Sequence, residues 1–147
     1  MDGRDMINDT ILKFGYPQTL VKEYEHWVVL LRVAQPTLGS LILAAKADCT
    51  AFGDLPAEAY SQLATVTGDI EQALSAHVGY EKINYLMLMM VDPHVHFHVI
   101  PRYEGARQWD GLEFIDAGWP KVPDLALAVT LNDAQIGSLI TKLSPKP

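Results

Sequence analysis

The chain has one cysteine, Cys49, among 147 residues, so neither an intrachain disulfide nor a cysteine-rich zinc site is available to staple the fold. A reducing cytoplasm is the expected setting. Bases are scarce as well: 11 Lys and Arg against 18 Asp and Glu leave a net charge of −7. Long nucleic acids are held by counterion release at a basic face, so that class of partner is not expected, while a single nucleotide in a local pocket stays compatible. Long apolar runs are missing too; the longest, Tyr85 to Val91, is far short of the roughly 20 residues that cross a bilayer. The opening Met1-Asp2-Gly3-Arg4-Asp5 carries acid where an export signal would carry bases ahead of an apolar stretch, so no targeting and no membrane partner are expected. There is no internal repeat, low-complexity tract or linker. With 49% apolar residues to fill one core, a single domain over 1–147 is expected, its core at about 19–103 and a C-terminal loop and helix over 104–147.

What is present reads as alternating helices and strands. Met6, Ile7, Ile11 and Leu12 have helical spacing that predicts a short helix ended by Gly15-Tyr16-Pro17. Thr19 to Tyr24 looks extended, and Trp27 to Leu31 is a continuous β-rich run suited to a buried strand. Gln35-Pro36-Thr37-Leu38-Gly39 is a turn, and Ser40 to Ala45 is the returning strand of an antiparallel pair. Asp54 is expected to cap a helix that begins near Pro56 and stops at Gly79, with His77 near its buried edge. Lys82 to Val91 predicts a strand whose Met87, Met89 and Met90 are core filler, and Asp92-Pro93 turns it into the next segment. From Tyr103 to Pro120 no periodicity survives; the readings are a loop over a site or across a dimer, or a surface segment pinned by Trp109, Phe114 and Trp119. Asn132 to Leu143 predicts a closing amphipathic helix with Ile136, Leu139 and Ile140 inward.

The segment that stands apart is His94-Val95-His96-Phe97-His98-Val99-Ile100-Pro101-Arg102. Strict alternation is the mark of a half-buried strand, and it places three of the five histidines on one face with apolar backing on the other. Neighbouring imidazoles on such a strand stand about 6.6 Å apart, close enough for several to surround one tetrahedral anion. A structural row would set three weakly basic rings side by side, each added proton disfavouring the next. A metal site is the sharper rival, because two histidines at i, i+2 bind one ion from a strand, although three such positions span too far for a single tetrahedral ion. Near neutral pH imidazole is a nucleophile and a fair leaving group, and a second, protonated ring can donate to a phosphoryl oxygen or a departing group. The pattern therefore fits attack on phosphorus, where positioning and charge compensation do most of the work.

The run His94 to Ile100 followed by Pro101-Arg102 resembles the signature of the histidine triad (HIT) superfamily, and its HxHxHxxPR form resembles the branch of fragile histidine triad proteins and bacterial dinucleoside polyphosphate hydrolases. The resemblance covers roughly residues 20 to 105. It implies an α+β fold: an antiparallel sheet of about five strands, a long helix packed across it, and N- and C-terminal helices. It implies that His96 attacks the α-phosphorus of a purine nucleotide derivative to give a covalent nucleotidyl-histidine, which water or another acceptor releases, and that His94 and His98 orient His96 and contact phosphate oxygens. Arg102 is expected either at a distal phosphate or paired with an acid. No cofactor is required by the motif; a divalent cation would enter only with the substrate. A homodimer with sheets continuing across the interface is also implied.

The sequence departs from that pattern in three places. Ser40 follows Gly39 where the family normally has a further histidine, and a hydroxyl can bond a phosphate but not supply a positive charge. Arg32 stands where a ribose-contacting Asn or Asp is usual, and favours phosphate or solvent. Met89-Met90-Val91-Asp92-Pro93 replaces a Gly-Gln segment. The nucleophile is intact but efficient polyphosphate hydrolysis is less favoured, which leaves a second expectation of a nucleotide-binding or regulatory protein with little turnover, and a third of a metal-dependent phosphoesterase.

Overall fold

Two runs, Trp27-Val28-Val29-Leu30-Leu31 and Leu41-Ile42-Leu43-Ala44-Ala45, are apolar at every position, and a strand of that composition has to be covered on both faces. Both are buried throughout in the structure, a computed structural model that describes residues 7–144. The elements are α1 (Asp9–Lys13), β1 (Leu20–Glu23), β2 (Trp27–Leu31), β3 (Ala34–Gln35), β4 (Leu41–Ala45), α2 (Ala57–His77), β5 (Lys82–Leu86), β6 (His96–Arg102), β7 (Ala106–Trp109), β8 (Leu112–Ile115), β9 (Val129–Thr130) and α3 (Asp133–Leu143). An antiparallel five-stranded sheet runs in the order β1-β2-β4-β6-β5. The α+β architecture expected from the motif is the one found.

Pleating sorts the central strands into two faces. Trp27, Val29, Leu31, Leu41, Leu43, Val95 and Val99 share a core with Ala59, Val66, Ile70 and Leu74 of α2. The Trp27 indole N–H donates to the Ala59 carbonyl at 2.7 Å, which fixes where the helix lies on the sheet. On the opposite face Val28, Leu30, Ile42 and Ala44 pack against Ile11 of α1, with Phe14 beside them. Gly39, at φ +88°, ends the turn before β4; a Cβ there would lie 2.8 Å from Leu74, so both the backbone and the helix contact require glycine.

Several expectations change in detail. The N-terminal helix begins at Asp9, capped by Asn8, and the part predicted around Met6 lies outside the described residues. Asp54 does not cap α2: it falls in a 3-10 turn, Phe52–Asp54, and Pro56 occupies the cap with no side-chain bond. His77 is exposed, because the inward stripe passes through Leu74 and Val78. Strand β5 stops at Leu86, opposite His98. Beyond it Met87 and Met89 turn into the core, while Met90 and Val91 are 89% and 83% exposed. The stretch read as irregular holds a hairpin, β7–β8, that turns at Asp110 (φ 52°) and Gly111 (φ 73°); Asp-Gly with both residues at positive φ is a favoured two-residue hairpin turn. Helix α3 forms as predicted, with Asn132 and Gln135 in a reciprocal capping box.

Candidate active site

Strand β6 carries the site, and its register with β4 sets what surrounds each ring. His96 lies opposite Ala44 and His98 opposite Ile42, so both imidazoles project from the face that α1 covers. Their centroids are 5.2 Å apart. Both residues are buried, His96 at 0% and His98 at 7% exposure. Phe14, just past α1, packs over them at 5.5 Å from the His96 ring and 5.9 Å from the His98 ring.

The His96 Nδ1 lies 2.7 Å from the carbonyl oxygen of His94. A carbonyl only accepts, so Nδ1 carries the proton and, in the neutral ring, Nε2 is left with a lone pair. That Nε2 is buried and has no partner among the described residues. His98 Nδ1 is likewise buried and without a partner. Burial pushes the His98 imidazole from an ordinary value of 6.5 down to about 4; the Arg32 charge and the neighbouring His96 ring add to the shift, and Asp92 opposes it. His98 is therefore neutral at pH 7.

Arg32 follows β2. Its Nη1 donates to the Ala34 carbonyl at 3.0 Å. Its Nε is buried and has no partner among the described residues, and burial lowers the guanidinium from its usual value. Arg32 also lines a cleft of about 240 Å³ with Lys13, Phe14, Gly15, Leu31, Val33 and Ala34. Arg32 is half-buried, and the cleft it lines shares Phe14 with the two histidine rings.

The other expected residues are placed differently. His94 precedes β6 instead of lying in it, and both ring nitrogens are engaged: Nδ1 with Thr10 Oγ1 at 2.8 Å and Nε2 with Asp48 Oδ1 at 2.8 Å. It touches its neighbour through its backbone carbonyl and has no free ring nitrogen to offer a phosphate. Ser40 is fully buried and its hydroxyl is taken up by Thr37, donating to the carbonyl at 2.8 Å and lying 3.0 Å from Thr37 Oγ1. Arg102, 4% exposed, donates from Nε to Asp116 at 2.6 Å, from Nη1 to Asn84 at 2.8 Å and from Nη2 to the Lys121 carbonyl at 2.7 Å. Of its two expected roles, the acid partner is the one found. The structure thus gathers His96, His98 and Arg32 around one covered face and sends Ser40 and Arg102 to structural bonds.

Thr10, Phe14 and Asp48 also belong to this site, and their part in it was not expected. A helical repeat locates the apolar side of α1 but not the sheet face on which it lands, so nothing in the chain before folding points to them. Among the described residues no group of three or more His, Cys, Asp or Glu side chains is arranged to hold a metal ion, and no helix is long and apolar enough to cross a membrane.

Comparison with known proteins adds an independent line. The family model described as "HIT domain" matches residues 14–105, which include β6 and all three histidines. No curated protein matches. Among solved structures, a histidine triad protein from Bradyrhizobium japonicum superposes with a TM-score of 0.66 at 18% identity over 93% of each chain. One from Sinorhizobium meliloti gives 0.66 at 21% identity, again over 93% of each. One from Marinobacter aquaeolei gives 0.62 at 25% identity over 84% of each.

Proposed function

The chain belongs to the HIT domain family, and on that premise we propose that it is a nucleotide hydrolase or nucleotidyl transferase in which His96 attacks the α-phosphorus of a purine nucleotide derivative. The observation that carries this reading is the His96 ring itself: Nδ1 pinned to the His94 carbonyl, Nε2 buried, unpartnered and aimed into the covered face. A phosphorus centre arriving there meets a lone pair that has no hydrogen bond to give up. As the Nε2–P bond forms, the bond to the leaving group breaks and its electron pair departs with that group. The ring becomes cationic, and the His94 carbonyl at Nδ1 stabilises it. Water or another acceptor then attacks phosphorus and returns His96 to neutral.

His98 and Arg32 supply the charge compensation. An incoming phosphate next to His98 works against the burial and the positive neighbours that depress its pKa, so binding draws a proton onto it. Protonated, it can donate to a non-bridging oxygen or to the leaving group. Arg32 brings a permanent charge to the same face, a task the Ser40 hydroxyl cannot perform. Phe14 lies over both rings, so substrate has to displace it. The proposed ligand is a small nucleotide, with any divalent cation arriving as part of its complex. The proposed assembly is a homodimer whose sheets continue across the interface, in the cytoplasm.

A second reading, a nucleotide-binding protein with little turnover, draws on the closed face and on Ser40. One experiment separates them. The chain is incubated with a labelled adenylyl phosphoramidate or diadenosine polyphosphate and quenched, and acid-labile nucleotidyl-protein is sought in the wild type and in His96→Ala. Label present in the first and absent from the second is the expected result. Binding without label favours the binding protein, and turnover abolished by a chelator favours a metal-dependent phosphoesterase.

A further inference from the structure

We propose that Thr10 and Asp48 are positioning residues that act through His94 to hold His96 in its nucleophilic orientation and tautomer. The inference rests on the reading of His96 as nucleophile, and it assigns a role to two residues outside the histidine row.

The His94 carbonyl is what keeps the proton on His96 Nδ1, so anything that lets the peptide after His94 rotate also lets the His96 proton choose its nitrogen. That peptide precedes β6, whose pairing with β4 begins at His96. On its far side that peptide is held by the backbone: its own N–H, that of Val95, donates to the Cys49 carbonyl at 3.1 Å, and the Val95 carbonyl accepts from Ala45 N–H at 3.0 Å. On its near side residue 94 is held through its backbone N–H, which donates to Thr10 Oγ1, and through its ring, which is clamped at both nitrogens. A carboxylate only accepts, so His94 donates from Nε2 to Asp48 Oδ1 at 2.8 Å. In the neutral ring Nδ1 then accepts from the Thr10 hydroxyl at 2.8 Å. The same Thr10 oxygen lies 3.4 Å from the His94 backbone N–H, so one hydroxyl meets both ends of the residue. With the His94 ring neutral, the protons form one series: Thr10 to His94, His94 to Asp48, His96 to the His94 carbonyl.

The clamp is itself anchored. Thr10 is 3% exposed and neighbours Ile11, which is fully buried against the sheet. Asn8 caps α1 and donates from its amide to the Ala45 carbonyl at 2.9 Å and the Ala47 carbonyl at 3.2 Å, which ties the helix to the segment bearing Asp48. The two partners are not equal. The Asp48 side chain is 89% exposed, so water competes for its bond, while the Thr10 bond, with Thr10 buried and His94 14% exposed, is better shielded. Thr10 therefore carries the larger share.

The test uses the full chain labelled with 15N-histidine, with ring tautomers read from long-range 1H–15N correlations and turnover measured on the substrate that labels the wild type. In the wild type His96 is expected as a single Nδ1–H tautomer. In the Thr10→Val, Asp48→Asn double variant it is expected as a mixture of tautomers, with kcat down about tenfold and KM within about twofold. Thr10→Val alone reproduces most of the effect, Asp48→Asn alone little, and Thr10→Ser restores the wild-type tautomer and rate. Valine is nearly isosteric with threonine, and thermal melting verifies that each variant is folded. An unchanged His96 tautomer in the folded double variant overturns the inference. A wild type that never forms nucleotidyl-protein sinks the proposed activity instead, and the tautomer measurement still decides the role of Thr10 and Asp48.

Discussion

The two faces of the central sheet are made by the same strands and differ in what they leave unfinished. On the α2 face the pleat presents Trp27, Val29, Leu31, Leu41, Leu43, Val95 and Val99, and the one polar atom of that set, the Trp27 indole nitrogen, has its partner. On the α1 face β6 substitutes imidazoles for aliphatic groups, and there two ring nitrogens and one guanidinium nitrogen are buried without partners among the described residues. An unmade hydrogen bond in an interior costs about 1–3 kcal/mol. On the proposed reading, the open nitrogens of the α1 face are where a ligand would be recognised, at the expense of stability. The difference teaches where to look for function: burial is equal on the two sides, satisfaction is not.

The contrast breaks most sharply by exchanging which face is damaged. His96→Ala is expected to lower turnover at least about a thousandfold, with a smaller loss of stability than a truncation on the other face, since Nε2 has no bond to lose and one bond, from Nδ1 to the His94 carbonyl, goes with the ring. Leu74→Ala, on the fully buried side of α2, should do the reverse: a loss of about 3 kcal/mol in denaturant unfolding, with kcat of the remaining folded protein within about twofold. Equal effects on both quantities in both variants would abolish the distinction between the faces.

Much of this was legible before folding, for reasons that differ by element. The histidine row announces itself because alternation and chemistry coincide in a few residues, and β2 and β4 do so because unbroken apolar runs demand two covered faces. The β7–β8 hairpin was missed although Asp110-Gly111, between alternating residues, is a strong turn signal; charges and glycines around it masked the period. Other parts were not legible at all. Thr10 meets His94 from 84 positions away, and a helical repeat says which side of α1 is apolar without saying which rings it will cover. Ser40 offered a hydroxyl to a phosphate on paper, but Thr37, three residues before, takes it in the turn. Arg102 likewise found its acid, Asp116, inside a segment that had no readable period.

His98 sharpens the comparison through pH. Its folded pKa, about 4, lies below the ordinary 6.5, so between those values the unfolded chain binds the proton more readily. Stability of the ligand-free protein is then expected to fall as pH drops from about 6.5 towards 4, by roughly 2 kcal/mol once partial contact with solvent is allowed for. His98→Asn should flatten that slope, read as the unfolding midpoint against pH. Nucleotide monophosphate binding should take up a proton at pH 6 in the wild type, measured as a buffer-dependent heat, and not in the variant. A slope unchanged by the substitution would place the titration elsewhere.

The smallest expected effect is the most discriminating, because it sets affinity against stability at one residue. Arg32 carries a buried Nε without a partner and a guanidinium that burial already disfavours, so it is a strained residue in the ligand-free protein. Arg32→Met keeps the apolar stem that lines the cleft and removes the charge. Stability without ligand should hold steady or rise by up to about 1 kcal/mol. Affinity for a nucleoside monophosphate should fall about tenfold, close to 1.4 kcal/mol, and the loss should shrink at high salt. His98 should titrate at a higher pH than in the wild type, since one of the charges depressing it is gone. If the variant instead unfolds more easily and binds as before, Arg32 is part of the scaffold through its bond to the Ala34 carbonyl. The open valences of the α1 face would then shrink to the two imidazoles alone.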